Sequence, residues 1–165
     1  MTSGPKPIRL TSADAGEILT LQRAAYVTEA QLHDDLSMPA LTQSLEDLES
    51  ELADPACAAF GVRENGRLIA CMRVARVEPA IAEIRRVMVA PDRQGEGFGT
   101  ALLLAAEAGL PAEVTRLRLF TGEHSVDNQR LYRRLGFEVT ELRPLGRYHL
   151  VYMEKQRNAS SASVN

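Results

Sequence analysis

The chain has 165 residues, 45% of them hydrophobic and 25% charged, with a net charge of −3 at pH 7. That length suits one domain with a sizeable core, and the composition is that of an ordinary globular protein. The mild acidity excludes a general affinity for nucleic acid or anionic membrane surfaces.

No apolar run approaches the roughly 20 residues of a membrane span. Met1–Arg9 lacks the apolar stretch of a signal peptide, so a soluble cytoplasmic protein is expected. Cys57 and Cys71 each sit in an apolar, strand-like stretch and read as small core residues rather than a disulfide or metal pair. His33, His124 and His149 show no zinc spacing with the cysteines, and no metal is expected.

Residues 6–12, KPIRLTS, read as a short opening strand. A helix follows over 12–32, with Ser12 or Asp14 as candidate caps and Ile18, Leu21 and Ala25 at roughly helical spacing. HDDLSMPALTQ, broken by Pro39, reads as a loop. SLEDLESELAD resumes a helix, opened by a capping box of Ser44 with Asp47 and ended at Pro55. CAAFGVREN and RLIACMRVARVE are strands flanking Asn65-Gly66, a strong hairpin signal. IAEIRRVMVAP is a third strand, stopped by Pro91. After a glycine loop, GTALLLAAEAGL is helical, TRLRLFTG alternates like a strand, and SVDNQRLYRRLGF is a short amphipathic helix ended by Gly136. Two last strands, FEVTELRPL and RYHLVYMEK, form a hairpin through Pro144–Gly146. The order is β-α-α-β-β-β-α-β-α-β-β, a mixed sheet of the α/β class in one domain over 1–155, with a polar and disordered tail over 156–165.

The chemistry concentrates in VMVAPDRQGEGFGTALLLAAEAGLP, where Gly95, Gly97 and Gly99 stand just where a helix nucleates. The first turn of a helix has free backbone N–H groups and partial positive charge. Glycines there let the backbone approach an anion and adopt unusual dihedral angles, a design for holding phosphate. A Walker loop is excluded because Gly99, not Lys, precedes Thr100, and the G-x-G-x-G spacing departs from the dinucleotide fingerprint G-x-G-x-x-G. A helix that merely begins with permissive glycines is the competing reading.

RQGEGFGTALL, with Gln94-x-x-Gly97-x-Gly99, resembles the acyl-CoA loop of the GNAT family of N-acetyltransferases. RLYRRLGF, Arg130 to Phe137, resembles that family's second signature at the expected distance downstream, and the element order over residues 5–155 matches as well. The resemblance implies the GNAT fold, with its central strands splayed apart, and acetyl-CoA as co-substrate. Gln94, Gly95, Glu96, Gly97, Gly99 and Thr100 would then line the pyrophosphate, while Val87, Met88 and Val89 would hold the thioester and pantetheine arm as a pseudo-strand. Glu96 departs from the Lys or Arg of many relatives, and Arg93 is the residue placed to offset it. Val87 and Val89 suit an ordinary buried strand equally well.

For the chemistry, the resemblance makes Tyr132 the acid or hydrogen-bond donor to the leaving sulfur, with packing as the alternative role. Phenol and thiol pKa values, about 10 and 8.5, are close enough for proton transfer. Glu83 would be the base, on the same side of an ideal strand as Arg85 and Val87, against an ordinary polar position on a half-exposed strand. Glu123 and His124 are weaker alternatives. Asn128 and Ser125 are both candidates to bind the pantetheine arm, with helix capping the competing role for each. Neither signature contains cysteine, which argues against a covalent acyl-enzyme.

The acceptor end would be covered by residues 26–43, whose Glu29, Asp34 and Asp35 stand beside Leu36, Met38, Pro39 and Leu41. That composition suits a cationic amine with an apolar portion, and equally a solvated loop. The expected partner is an amine-bearing small molecule or peptide, with neither nucleic acid nor membrane. A homodimer is left open, and a non-catalytic acyl-CoA sensor of the same fold is the alternative function.

Overall fold

The computed structural model describes residues 4–157. Its elements are β1 (Ile8–Leu10), α1 (Ala15–His33), α2 (Pro39–Thr42), α3 (Leu45–Ala53), β2 (Cys57–Glu64), β3 (Arg67–Glu78), β4 (Ile81–Val89), α4 (Phe98–Ala108), β5 (Arg116–Gly122), α5 (Val126–Arg134), β6 (Glu138–Leu145) and β7 (Tyr148–Gln156). The expected order is present with one addition, the single turn α2 inside the stretch read as a loop. Pro39 sits in its first turn, where its missing N–H removes no helical bond. At the start of α1 Asp14, one of the two candidates, holds the cap position, with its side chain turned back to Thr11. Thr11 and Asp14 close a reciprocal capping box around a short 3-10 turn, Ser12–Asp14, that leads into the helix. Ser44 accepts from the Asp47 N–H as expected.

Seven strands form one sheet in the order β1-β2-β3-β4-β5-β7-β6. Asn65 and Gly66 both have positive φ, 53° and 79°, as the tight β2–β3 turn requires. The last hairpin turns at Gly146-Arg147, so Pro144 lies within β6 rather than in the turn. It is tolerated there because β6 is an edge strand. β7 runs through Gln156, and Arg157 bonds the carbonyls of Leu110, Pro111 and Val114, so the start of the expected tail belongs to the fold. The rest of that tail lies outside the described residues.

The sheet buries both faces. Leu10, Ile18, Leu48, Leu68, Cys71 and Met88 pack together on one, under α1 and α3. Ile69, Met72, Ile84, Leu102, Leu117 and Met153 are among those on the other, under α4 and α5. Cys57 and Cys71 are buried free thiols, and burial pushes Cys71 up to about 12. They are core residues, as the sequence implied.

The one parallel pair, β4 with β5, joins only Ile81, Ala82 and Glu83 to Arg116, Leu117 and Arg118. Both strands run on past this point without each other, so the middle of the sheet opens into a V.

Leu48 is fully buried where α3 meets the sheet. Leu48→Ala should lower unfolding free energy by about 2–5 kcal/mol, read as a drop in the denaturant midpoint at constant slope.

Candidate active site

The V and the glycine loop open into one cleft of about 1650 Å³. Ordinary small-ligand pockets hold about 300–1,000 Å³, so this one has room for two substrates.

One wall is β4, and a bulge shapes it. The pairing of β4 with β3 steps from Arg73↔Arg85 to Cys71↔Met88, so Arg86 and Val87 together oppose Met72. The extra residue is accommodated by Arg86 at φ 55°, left-handed backbone that a non-glycine residue rarely adopts. Inserting one residue inverts the alternation of side chains. Ile84, Val87 and Val89 therefore pack on the α4 side, whereas Met88 packs on the α1 side. The expectation that Glu83 shares a face with Val87 fails for this reason, because it assumed an unbroken strand.

Glu83 sits at the vertex of the V, nearly buried. Its carboxylate is held by Arg85 at 2.7 Å and Arg118 at 3.1 Å. It does not line the cleft, whereas Val87, Met88 and Val89 do. Ala90 N–H bonds Ile69 O, and the antiparallel alternation then makes Val89↔Ala70 a non-bonded pair. The Val89 amide and carbonyl thus point away from β3, into the opening, where the Gln94 side chain reaches the carbonyl at 3.5 Å.

Two of the three glycines answer to a constraint of the backbone. Gly95 and Gly97 have φ of 79° and 87°, and a Cβ on either would meet nothing within 4 Å. Their need is conformational, to turn the chain so that Gly97 can cap α4. Gly99 has ordinary φ, and its Cβ would meet Leu131 Cδ2 at 3.4 Å, an ordinary contact, so neither backbone nor space demands glycine there. No side chain caps α4, and the first N–H to find a helical carbonyl is that of Ala101. The Phe98, Gly99 and Thr100 N–H groups are left at the mouth of the cleft, a donor set suited to a diphosphate.

Gln94, Gly95, Gly97, Gly99 and Thr100 line the cleft. The Glu96 side chain does not. Arg93 binds it at 2.8 Å and binds Glu64 at 2.7 Å, which holds the Glu96 charge off the loop's inner surface. Arg130, Arg133 and Arg134 add cationic lining from α5, a contribution the sequence reading missed.

Tyr132 is buried, lines the cleft and has no hydrogen-bonded partner acting on its phenol. Desolvation above all, with smaller effects of Tyr26 and Glu29, holds it far above the ordinary phenol range. Its hydroxyl therefore stays protonated and available as a donor throughout the neutral range.

The far wall comes from α1. Glu29 accepts from Ser125 Oγ and, at 3.5 Å, from Asn128 Nδ2, and Asn128 also reaches Thr121 Oγ1 at 3.4 Å. Ser125 precedes α5 yet caps nothing, since its hydroxyl is committed to Glu29. His33 Nδ1 lies 2.9 Å from the Glu29 carbonyl, and Nε2 accepts the His124 N–H at 3.1 Å, which selects the tautomer with hydrogen on Nδ1. The ring fits because residue 122 is glycine; a Cβ there would strike it. The Tyr148 ring packs at a tilt against His33, and its hydroxyl donates to Asp35 at 2.7 Å; burial and that bond push it up to about 12. Of the acceptor loop, Tyr26, Glu29, Met38 and Pro39 line the cleft, whereas Asp34, Asp35, Leu36 and Leu41 do not. Glu123 is bonded to His149 N–H at 2.7 Å outside the cleft, whereas His124 lines it.

Among the described residues no cluster has metal-holding composition, and no helix is long and apolar enough to cross a membrane.

Known proteins share both fold and sequence pattern. The chain is similar to the UPF0157 protein YqkA of Bacillus subtilis (strain 168), 30% identical over 128 residues, which is 77% of this chain and 35% of that protein. It spans about a third of the length of the curated relatives it matches. Its structure resembles the PaiA N-acetyltransferase of Thermoplasma acidophilum in complex with coenzyme A, with TM-score 0.73 and 20% identity over 93% of this chain and 99% of that one. It also resembles the ribosomal-protein-S18-alanine N-acetyltransferase of Escherichia coli, with TM-score 0.77 and 20% identity over 97% and 98% of the two chains. These two likenesses establish the fold. The family model described as the acetyltransferase (GNAT) family matches residues 20–137, well over half of the sequence, and the chain belongs to that family.

Proposed function

We propose that this chain binds acetyl-CoA across the opening between β4 and β5 and transfers the acetyl group to a primary amine by direct attack in a ternary complex. The observation that carries this reading is the unpaired β5-side edge of β4 opening onto the same cleft as the uncapped start of α4. A buried strand edge without a partner is costly in water-free surroundings, and an extended arm lying between the strands would satisfy it. The free N–H groups of Phe98, Gly99 and Thr100, with Gly95 and Gly97 turned inward, fit the diphosphate of such a molecule.

When bound, acetyl-CoA supplies an activated acetyl group on sulfur. Transfer forms a C–N bond and breaks a C–S bond, with one proton leaving nitrogen and one reaching sulfur. The residues divide this work. An N–H from the Val87–Val89 edge polarises the carbonyl, an effect worth roughly 3–4 kcal/mol in other enzymes. Tyr132 holds a proton at Oη for the departing sulfur. Glu83 is occupied by two arginines, so the carboxylate that meets the amine in this reading is Glu29, which lines the cleft and influences Tyr132 electrostatically. An amine that arrives neutral needs no strong base. Ser125 and Asn128 position Glu29.

Three outcomes are expected. Calorimetry should detect coenzyme A binding, weakened at least about tenfold in Gly97→Val, whose branched side chain is strained at φ 87°. Tyr132→Phe should lower kcat roughly a hundredfold with little change in coenzyme A affinity; unchanged turnover at neutral pH would remove its acid role. Glu29→Gln should lower kcat/KM for amines by more than about tenfold, and Glu83→Gln by less; the reverse ranking would return the base role to Glu83.

A further inference from the structure

Most charges in this chain are paired. Arg63 binds Asp14 and Glu17, Arg93 binds Glu64 and Glu96, and Arg85 and Arg118 share Glu83. Four charged residues on the cleft have no ion-pair partner among the described residues: Arg133 and Arg134 on α5, and Arg86 and Glu29, of which only Arg86 also leaves a buried nitrogen unbonded. Arg86 lines it from the bulge of β4, and its buried Nε has no hydrogen-bond partner. Its guanidinium lies 5.9 Å from the Tyr26 ring centroid, and no carboxylate pairs with it among the described residues. Glu29 lines the cleft from α1, takes hydrogen bonds only from neutral groups, and no cation pairs with it among the described residues.

Both charges act on Tyr26, so both stand near it, yet they do not pair with each other. Arg73, almost completely buried, also acts on Arg86, with Glu51 at 2.6 Å offsetting much of its charge. Its own Nε lies 2.6 Å from Glu51 without hydrogen-bond alignment, and its Nη1 has no partner. The Arg86 side therefore favours an anion, and the Glu29 side a cation. Left-handed backbone at Arg86 is strained, and strain of this kind gathers where geometry serves a ligand.

We infer that the acceptor is a zwitterion, a primary amine that also carries a carboxylate, with its ammonium at Glu29 and its carboxylate on the Arg86 guanidinium. Arginine suits a carboxylate because its fork of donors matches both oxygens. Leu32, Met38 and Pro39, which line the same cleft, fit an apolar side chain on the same molecule. The inference rests on the transferase reading for what becomes of the amine, but the binding it describes stands without turnover.

The test compares L-leucine, L-methionine and L-phenylalanine with their amides and with the decarboxylated amines. Each is offered to the full chain saturated with acetyl-CoA for thiol release and with coenzyme A for calorimetry. At least one free amino acid should exceed both of its carboxylate-free counterparts by about tenfold or more in kcat/KM and in affinity. Arg86→Gln should collapse that ratio towards one, and Arg86→Lys should restore part of it. Turnover of amides or amines at equal or better efficiency would overturn the inference while leaving the transferase reading intact. Tight binding of a free amino acid without thiol release from any amine would do the opposite. Binding of none of the free amino acids overturns it, and so does a preference that survives in Arg86→Gln.

Discussion

The structure depends on a strand that is denied its neighbour. β4 and β5 pair over three residues and then part, leaving the β5-side edge of Ile84–Val89 facing a cleft. Backbone polar groups away from water need partners, and in the function proposed above an extended molecule supplies them here. The bulge at Arg86 belongs to the same device. It turns Val87 and Val89 onto the α4 side of the sheet and leaves Met88 on the α1 side.

The glycine loop adds a second unfinished set of donors at the end of that strand. Pro91 stops β4, Gly95 and Gly97 swing the chain through left-handed backbone, and α4 begins with no side-chain cap. Each feature alone would be a minor defect in a folded protein. Together they face one volume, and their costs are offset when something anionic and extended occupies it. Tyr132 and Glu29 line that volume from α5 and α1.

Much of this was legible in the sequence. Strand and helix limits followed from periodicity and stop signals, as in β3, found at the expected Arg67–Glu78. The loop and RLYRRLGF signatures led to the family because glycine and tyrosine positions there are dictated by local geometry. What was not legible was long-range. The register slip at Arg86 carries no local signal, since arginine is not a residue that marks left-handed turns. The assignment of Glu83 therefore assumed ideal alternation, and its engagement by Arg118 arises from a strand 35 residues away. Glu29 read as one acid on a loop rim. Its importance comes from α1 carrying it to Ser125 and Asn128, almost a hundred residues later. Arg93 was foreseen as the partner of Glu96, and Glu64 as its second partner was not.

The most direct measurement is amide hydrogen exchange on the full chain with and without acetyl-CoA. The account predicts slowed exchange at Val87, Val89 and the amides of Gly95 to Thr100, with the β2–β3 hairpin unchanged. Saturating acetyl-CoA that left these amides exchanging as before, or that protected another part of the sheet instead, would contradict it.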